Sequence, residues 1–215
     1  MKIELRNVSK VFNDEEVLKN INATFESGKI YGFIGRNGSG KSVLLKMICG
    51  FYDPNEGEIL FDGVNVIKKK AFPPSTRALI EKPNFLPDLS GYENLELLAS
   101  IQKLVGKEEI LIALEKVNLI ADKDKKFSKY SLGMKQKLGI AQVLMEDPTV
   151  MILDEAFNGI EEKTAIELRN LLKEEVKKDK IIILASHIKE DIEVLCDEIY
   201  KLDGGIIVEK NITNS

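Results

Sequence analysis

The run Gly35-Arg36-Asn37-Gly38-Ser39-Gly40-Lys41-Ser42 has the spacing G-x-x-x-x-G-K-S, which suits the cradling of a polyphosphate. Glycines let the backbone wrap closely around an anion. Successive backbone N–H groups and the start of a helix supply positive potential there. Lys41 is placed to reach the β- and γ-phosphates, and the Ser42 hydroxyl to ligate Mg²⁺. A second cluster, Asp154-Glu155, ends the apolar run Val150-Met151-Ile152-Leu153. Asp154 fits the second Mg²⁺ partner, and Glu155 a group that orients and polarises an attacking water. His187, the one histidine of the chain, follows a further apolar run from Ile181 to Leu184. A lone histidine is often structural. Its place after a strand gives the functional reading, a hydrogen bond to the γ-phosphate or to the attacking water.

These groups require strands that bring three loops to one edge. Ile30-Tyr31-Gly32-Phe33-Ile34 leads into the phosphate loop as a buried strand, and Val43, Leu44, Met47 and Ile48 mark one face of the helix after it. Short apolar runs separated by helical patterns predict a parallel sheet buried on both faces, with ligands at the carboxyl ends of its strands. Residues 1–34 read as strands, with a turn at Glu26-Ser27-Gly28-Lys29, and Gly57 to Phe61 reads as another, closed by Asp62-Gly63. After Phe72-Pro73-Pro74-Ser75 comes a short strand, Ala78-Leu79-Ile80. Helical spacing then starts at Ser90, with Leu95, Leu98, Ile101 and Leu104 or Val105 on one stripe. Ile110, Leu111, Leu114 and Val117 predict a second helix. Ser131 caps a third, which runs through Leu138, Ala141, Leu144 and Met145 to Asp147-Pro148, and a charged helix spans about Glu161 to Lys177. The helical block near 84–147 reads as an insertion in an α/β core.

The chain has 215 residues, enough for one large domain or two small ones, and its 44% hydrophobic and 31% charged residues can build a real core. A net charge of −4 gives no reason to expect nucleic acid as a partner. No apolar run approaches the roughly 18 residues of a membrane span. The first residues lack the apolar stretch of a signal peptide, so a cytoplasmic location is expected. Cys49 and Cys196 have no metal-ligand spacing and read as buried, reduced thiols.

Taken in order, these motifs resemble the ATP-binding cassette (ABC) ATPases over essentially the whole chain. The discriminating stretch is Tyr130-Ser131-Leu132-Gly133-Met134-Lys135-Gln136-Lys137, which is similar to the family signature L-S-G-G-Q, with Ser131 and Gly133 kept and Leu132 and Met134 departing from it. The resemblance implies a phosphate-loop NTPase (RecA-like) parallel-sheet core, an N-terminal antiparallel β-subdomain (about 1–34 and 56–66) and an inserted α-helical subdomain (about 84–147). It implies ATP and Mg²⁺ as ligands. Gly35, Asn37, Gly38, Ser39, Gly40, Lys41, Ser42 and Val43 would hold the nucleotide, and Ser42, Asp154 and Glu81 the metal. Glu155, His187 and Lys41 would act in catalysis. Glu81 stands where the family usually has glutamine, and Glu161 where it usually has aspartate in a loop, Asn158-Gly159-Ile160-Glu161, that faces a partner subunit. Phe12 falls at the position of an adenine-stacking aromatic; by its own neighbours it reads equally as a core residue. Ser131 and Gly133 would contact the γ-phosphate of ATP held by a second copy.

The stretches from Ala78 to Leu95 and from Tyr130 to Ala141 are similar to the ATPases of bacitracin-resistance and lantibiotic-immunity exporters. The resemblance thus implies a transporter ATPase working on a separate membrane permease and held by it at the inner face of the membrane, with a peptide antibiotic as expected cargo. The alternatives are an unrelated exported cargo, or a soluble ATPase acting on ribosomes or DNA. Members of that last kind usually carry two cassettes or long heptad arms, which these residues lack.

Overall fold

The computed structural model describes residues 1–66, 68, 69 and 71–213, without the side chains of 189 and 190. Strands β1 (Lys2–Phe12) and β2 (Glu15–Glu26) form a hairpin. Its two-residue turn places Asn13 and Asp14 both at positive φ (46° and 66°), the turn whose twist matches paired strands. Strand β3 covers Lys29–Ile34, helix α1 Lys41–Ile48 and strand β4 Glu56–Phe61. β4 pairs antiparallel with the other edge of β1, giving a three-stranded sheet in the order β2-β1-β4. The alternation in β1 is only partial because the register shifts after Leu5 and again after Val8. β3 belongs elsewhere: it pairs in the larger sheet, so the antiparallel layer holds residues 2–26 and 56–61.

The larger sheet is built from β3, β5 (Thr76–Leu79), β6 (Val150–Asp154), β7 (Ile181–Ser186), β8 (Glu198–Asp203) and β9 (Ile206–Ile212), in the order β5-β6-β7-β3-β8-β9. All its pairings are parallel except that of β8 with β9. β6 and β7 are buried at every residue, as strands covered on both faces must be. Their side chains still alternate. Val150, Ile152, Ile181 and Ile183 pack with α1 and the antiparallel sheet. Met151, Leu153, Ile182 and Leu184 pack with the helices on the opposite face.

Those helices are α2 (Gly91–Gln102), α3 (Lys107–Lys116), α4 (Leu132–Leu144), α5 (Glu162–Val176) and α6 (Lys189–Leu195). Ser90 and Glu93 close a reciprocal capping box at the start of α2. α2 ends before the apolar stripe does: Lys103 turns left-handed (φ 56°), so Leu104 and Val105 lie beyond the helix. Leu95 is fully buried, whereas Ile101 and Leu104 are exposed. The architecture is the expected parallel core with an antiparallel layer and a helical insertion.

A buried ionic cluster ties that insertion to the core. Glu175 on α5, 1% exposed, accepts from Lys116 at the end of α3 (2.9 Å), Lys178 (2.7 Å) and Lys180 ahead of β7 (2.9 Å). Lys180, also buried, donates to Asp147 at 2.6 Å. Burial by itself would raise the Glu175 carboxyl, but the three ammonium donors outweigh it and hold it down to about 2. A carboxyl lowered on folding contributes stability that is present above its ordinary value of 4.5 and lost as pH falls toward 2. Glu175→Ala leaves Lys180 buried with one partner, and a loss of about 3–5 kcal/mol is expected in urea unfolding at pH 7. The gap between wild type and variant should narrow below pH 4.5.

Candidate functional site

Residues 35–40 join β3 to α1. Two glycines are obligatory for separate reasons. A Cβ on Gly35 would meet Leu202 O at 2.4 Å, and Gly40, at φ 103°, would drive a Cβ into Leu18 Cδ2 at 2.6 Å. The loop encloses a hollow of about 250 Å³ lined by Val17, residues 37–42, Val43 and Glu155. No side chain caps the N-terminus of α1, and its first turn holds no acidic residue, so its N–H groups remain available to an anion. Lys41 is buried and donates to Gly35 O (2.8 Å) and Arg36 O (3.2 Å), its ammonium held across the loop. Ser39 Oγ is buried with no hydrogen-bond partner among the described residues. Such groups fit a phosphate.

Asp154, the last residue of β6, is 2% exposed, and its Oδ1 has no hydrogen-bond partner among the described residues. Burial raises its carboxyl above the ordinary value of 3.8; Glu155 and Glu81 add to the rise, while a hydrogen bond from Ser42 and the charge of Lys41 oppose it. A desolvated carboxylate with a bare oxygen beside a hydroxyl is an oxygen donor set that suits Mg²⁺. Among the described residues no three His, Cys, Asp or Glu side chains converge on a metal position. The set fits a cation that takes its remaining ligands from phosphate and water.

Asp154 pairs with Ala185 in the β6–β7 register, and the next residue leaves the sheet. Glu155 takes a left-handed backbone (φ 52°), rare and costly outside glycine, anchored by its N–H on Ala185 O at 2.8 Å. Its Oε2 lies 2.9 Å from His187 Nδ1, one residue past β7. The parallel pairing of β6, β7 and β3 therefore brings the carboxylate, the imidazole and the phosphate loop to one edge.

Glu81 lies two residues past β5, and its carboxylate takes a hydrogen bond from Lys46 of α1 at 2.6 Å. Ser131 caps α4, accepting from Met134 N at 3.2 Å. Ser131 and Gly133 line a separate hollow of about 200 Å³ with Gly159, Ile160 and Glu161, so one chain does not bring them to the phosphate loop. Phe12 packs edge-on against Tyr52 (5.2 Å) under the Lys10 ammonium (4.9 Å) and does not line the loop hollow. Val17 does line it. Nothing in its local sequence marks it, because only the packing of β2 over Gly40 places it there. Both cysteines are free and buried, and burial pushes Cys49 up to about 12, which makes it unreactive.

A Gly-rich loop between strand and helix, beside a buried acidic strand end in a parallel sheet, defines a phosphate-loop nucleotide-binding domain. The ABC transporter family model matches residues 18–158. The chain is 41% identical over 203 residues to the uncharacterised ABC transporter ATP-binding protein YybJ of Bacillus subtilis, covering 94% of this chain and 93% of that one. It is 38% identical over 210 residues to the bacitracin transport ATP-binding protein BcrA of Enterococcus faecalis (97% and 68% covered). It is 33% identical over 214 residues to the lantibiotic transport ATP-binding protein SrtF of Streptococcus pyogenes (99% and 92%). A solved ATP-binding subunit of an ABC transporter matches with TM-score 0.87 and 26% identity, covering 100% of this chain and 91% of that one. The chain belongs to the ABC transporter family, as one of its ATP-binding, ATP-hydrolysing subunits.

The raised Asp154 carboxyl has a consequence in metal-free, nucleotide-free protein. The folded state holds this proton more tightly than the unfolded chain, so Asp154 removes stability as pH rises above 3.8 through the raised value. Asp154→Asn should therefore be at least as stable as wild type at pH 7 in thermal melts with EDTA. A clearly lower melting temperature would mean that the carboxylate is satisfied in the free protein.

Proposed function

We propose that this chain powers the export of a peptide antibiotic, of the bacitracin or lantibiotic kind, through a separate membrane permease. The cargo is argued from the relatives named for bacitracin and lantibiotic transport. The observation that carries the chemistry is the bare Asp154 Oδ1 beside Ser42 at the foot of the loop, with Glu155 on His187 next to it. Relatives named as transport ATP-binding proteins support a translocation path in another polypeptide, with this chain held against it at the cytoplasmic face of the membrane.

In this reading Ser42 and Asp154 hold Mg²⁺, and Lys41 exchanges the Gly35 and Arg36 carbonyls for β- and γ-phosphate oxygens. The metal, when bound, neutralises charge on the transferred phosphoryl group. Glu155 orients water for in-line attack and takes its proton, and His187 fixes the carboxylate that does so. The remaining contact comes from a second copy. Its Ser131 and Gly133, at the start of α4, face the γ-phosphate with a helix N-terminus. The two hollows of one chain are separate, as this arrangement requires. The segment from Phe85 to Tyr92 follows Glu81 and exposes Leu86, which suits it to pass closure of the two chains on to the permease.

Glu155→Gln should keep ATP affinity but abolish turnover, leaving an ATP-dependent dimer in size-exclusion chromatography. Wild-type turnover in that variant would remove Glu155 from its role. Lys41→Ala should weaken ATP binding in calorimetry by roughly 10–100-fold, the worth of a hydrogen bond to a charged group.

A further inference from the structure

Lys46 is absent from the scheme above, yet its position bears on it. It sits four residues after Ser42 on α1, hence on the same face of the helix one turn on. Its ammonium donates to Glu81 Oε1 at 2.6 Å, with 24% of the lysine side chain and 68% of the glutamate side chain exposed. The β5–β6 register ends with Leu79 against Leu153, and Glu81 and Glu155 each follow two residues later, past the carboxyl ends of these strands. Glu81 is held there in a left-handed backbone (φ 67°) that a non-glycine residue adopts at a cost.

Three carboxylates thus lie along the edge where a polyanion is to bind, without converging on one metal position among the described residues, and each has a partner. Ser42 serves Asp154, His187 serves Glu155, and Lys46 serves Glu81. An ion pair this exposed contributes little to folding. Its effect lies in the local field, since an uncompensated carboxylate beside the phosphates would oppose their binding.

We propose that Lys46 is a positioning residue of the nucleotide site: it neutralises Glu81 and pins it at the rim, so that a site carrying an extra carboxylate accepts a metal-bound nucleoside triphosphate. The inference rests on the reading of Ser42 and Asp154 as the metal–nucleotide site.

The test is a double-mutant cycle on the full chain, with MgATP affinity read by calorimetry. Lys46→Met should weaken MgATP binding about tenfold in the wild-type background and less than about twofold in the Glu81→Gln background. Lys46→Arg, which keeps the charge, should stay close to wild type. Melting temperatures should agree within about 2 °C, since an exposed pair is being removed. An equal loss in both backgrounds, or no loss in either, would overturn the inference while leaving the nucleotide site in place. Absence of MgATP binding by the wild-type chain would overturn both.

Discussion

Burying a carboxylate with one unpaired oxygen is unfavourable, and the structure accepts this at Asp154. The cost is tolerable because the parallel sheet supplies compensation from two sides. Lys41 and Ser42 lie at the start of α1, and Asp154 ends a strand buried on both faces. The same register sets Glu155 against Ala185 and so within reach of His187. A shift of one residue between β6 and β7 would turn Asp154 to the other face and separate all these groups. The site's electrostatics therefore depend on that register.

The helical insertion is attached to this rigid core by charges as well as by apolar packing. Lys116 of α3 reaches Glu175 of α5, Lys137 of α4 reaches Glu167 of α5, and Arg77 of β5 reaches Glu146 after α4. Two of these pairs tie α3 and α4 to α5, and the third ties the end of α4 to strand β5. In the proposed two-chain arrangement, α4 carries its Ser131 toward the partner's nucleotide, and these ion pairs join that helix and its neighbours to the core. The exposed apolar residues at the end of α2 and beyond it, Ile101 and Leu104, sit on the element that such a motion would displace.

What was legible in the sequence was what is local. The phosphate loop, the Asp154-Glu155 strand end and the helix cap at Ser131 are short patterns whose physics is complete within a few residues. His187 was legible because a continuous apolar run before it implies a central parallel strand. Val17 and Lys46 were not, since each reaches the site through pairing or packing with a segment distant in sequence. β3 follows the antiparallel strands in sequence yet pairs in the larger sheet, because strand pairing is decided by tertiary contacts, and β1 alternates imperfectly where its register shifts. The stripe from Leu95 to Leu104 looked like one helix face because periodicity does not register the left-handed turn at Lys103. Phe12, taken from resemblance as an adenine platform, packs on Tyr52 in this chain.

The most direct measurement is the shift in melting temperature of wild type and Asp154→Asn with saturating ATP, in Mg²⁺ and in EDTA. A ligand at a hundred times its Kd stabilises a folded protein by about 2.7 kcal/mol, so a gain in affinity from the metal is readily seen. If Asp154 and Ser42 form the metal site of the nucleotide, wild type will melt higher in Mg²⁺ than in EDTA, and the variant will show no difference between the two. An equal Mg²⁺-dependent rise in the variant would contradict the assignment on which the site rests.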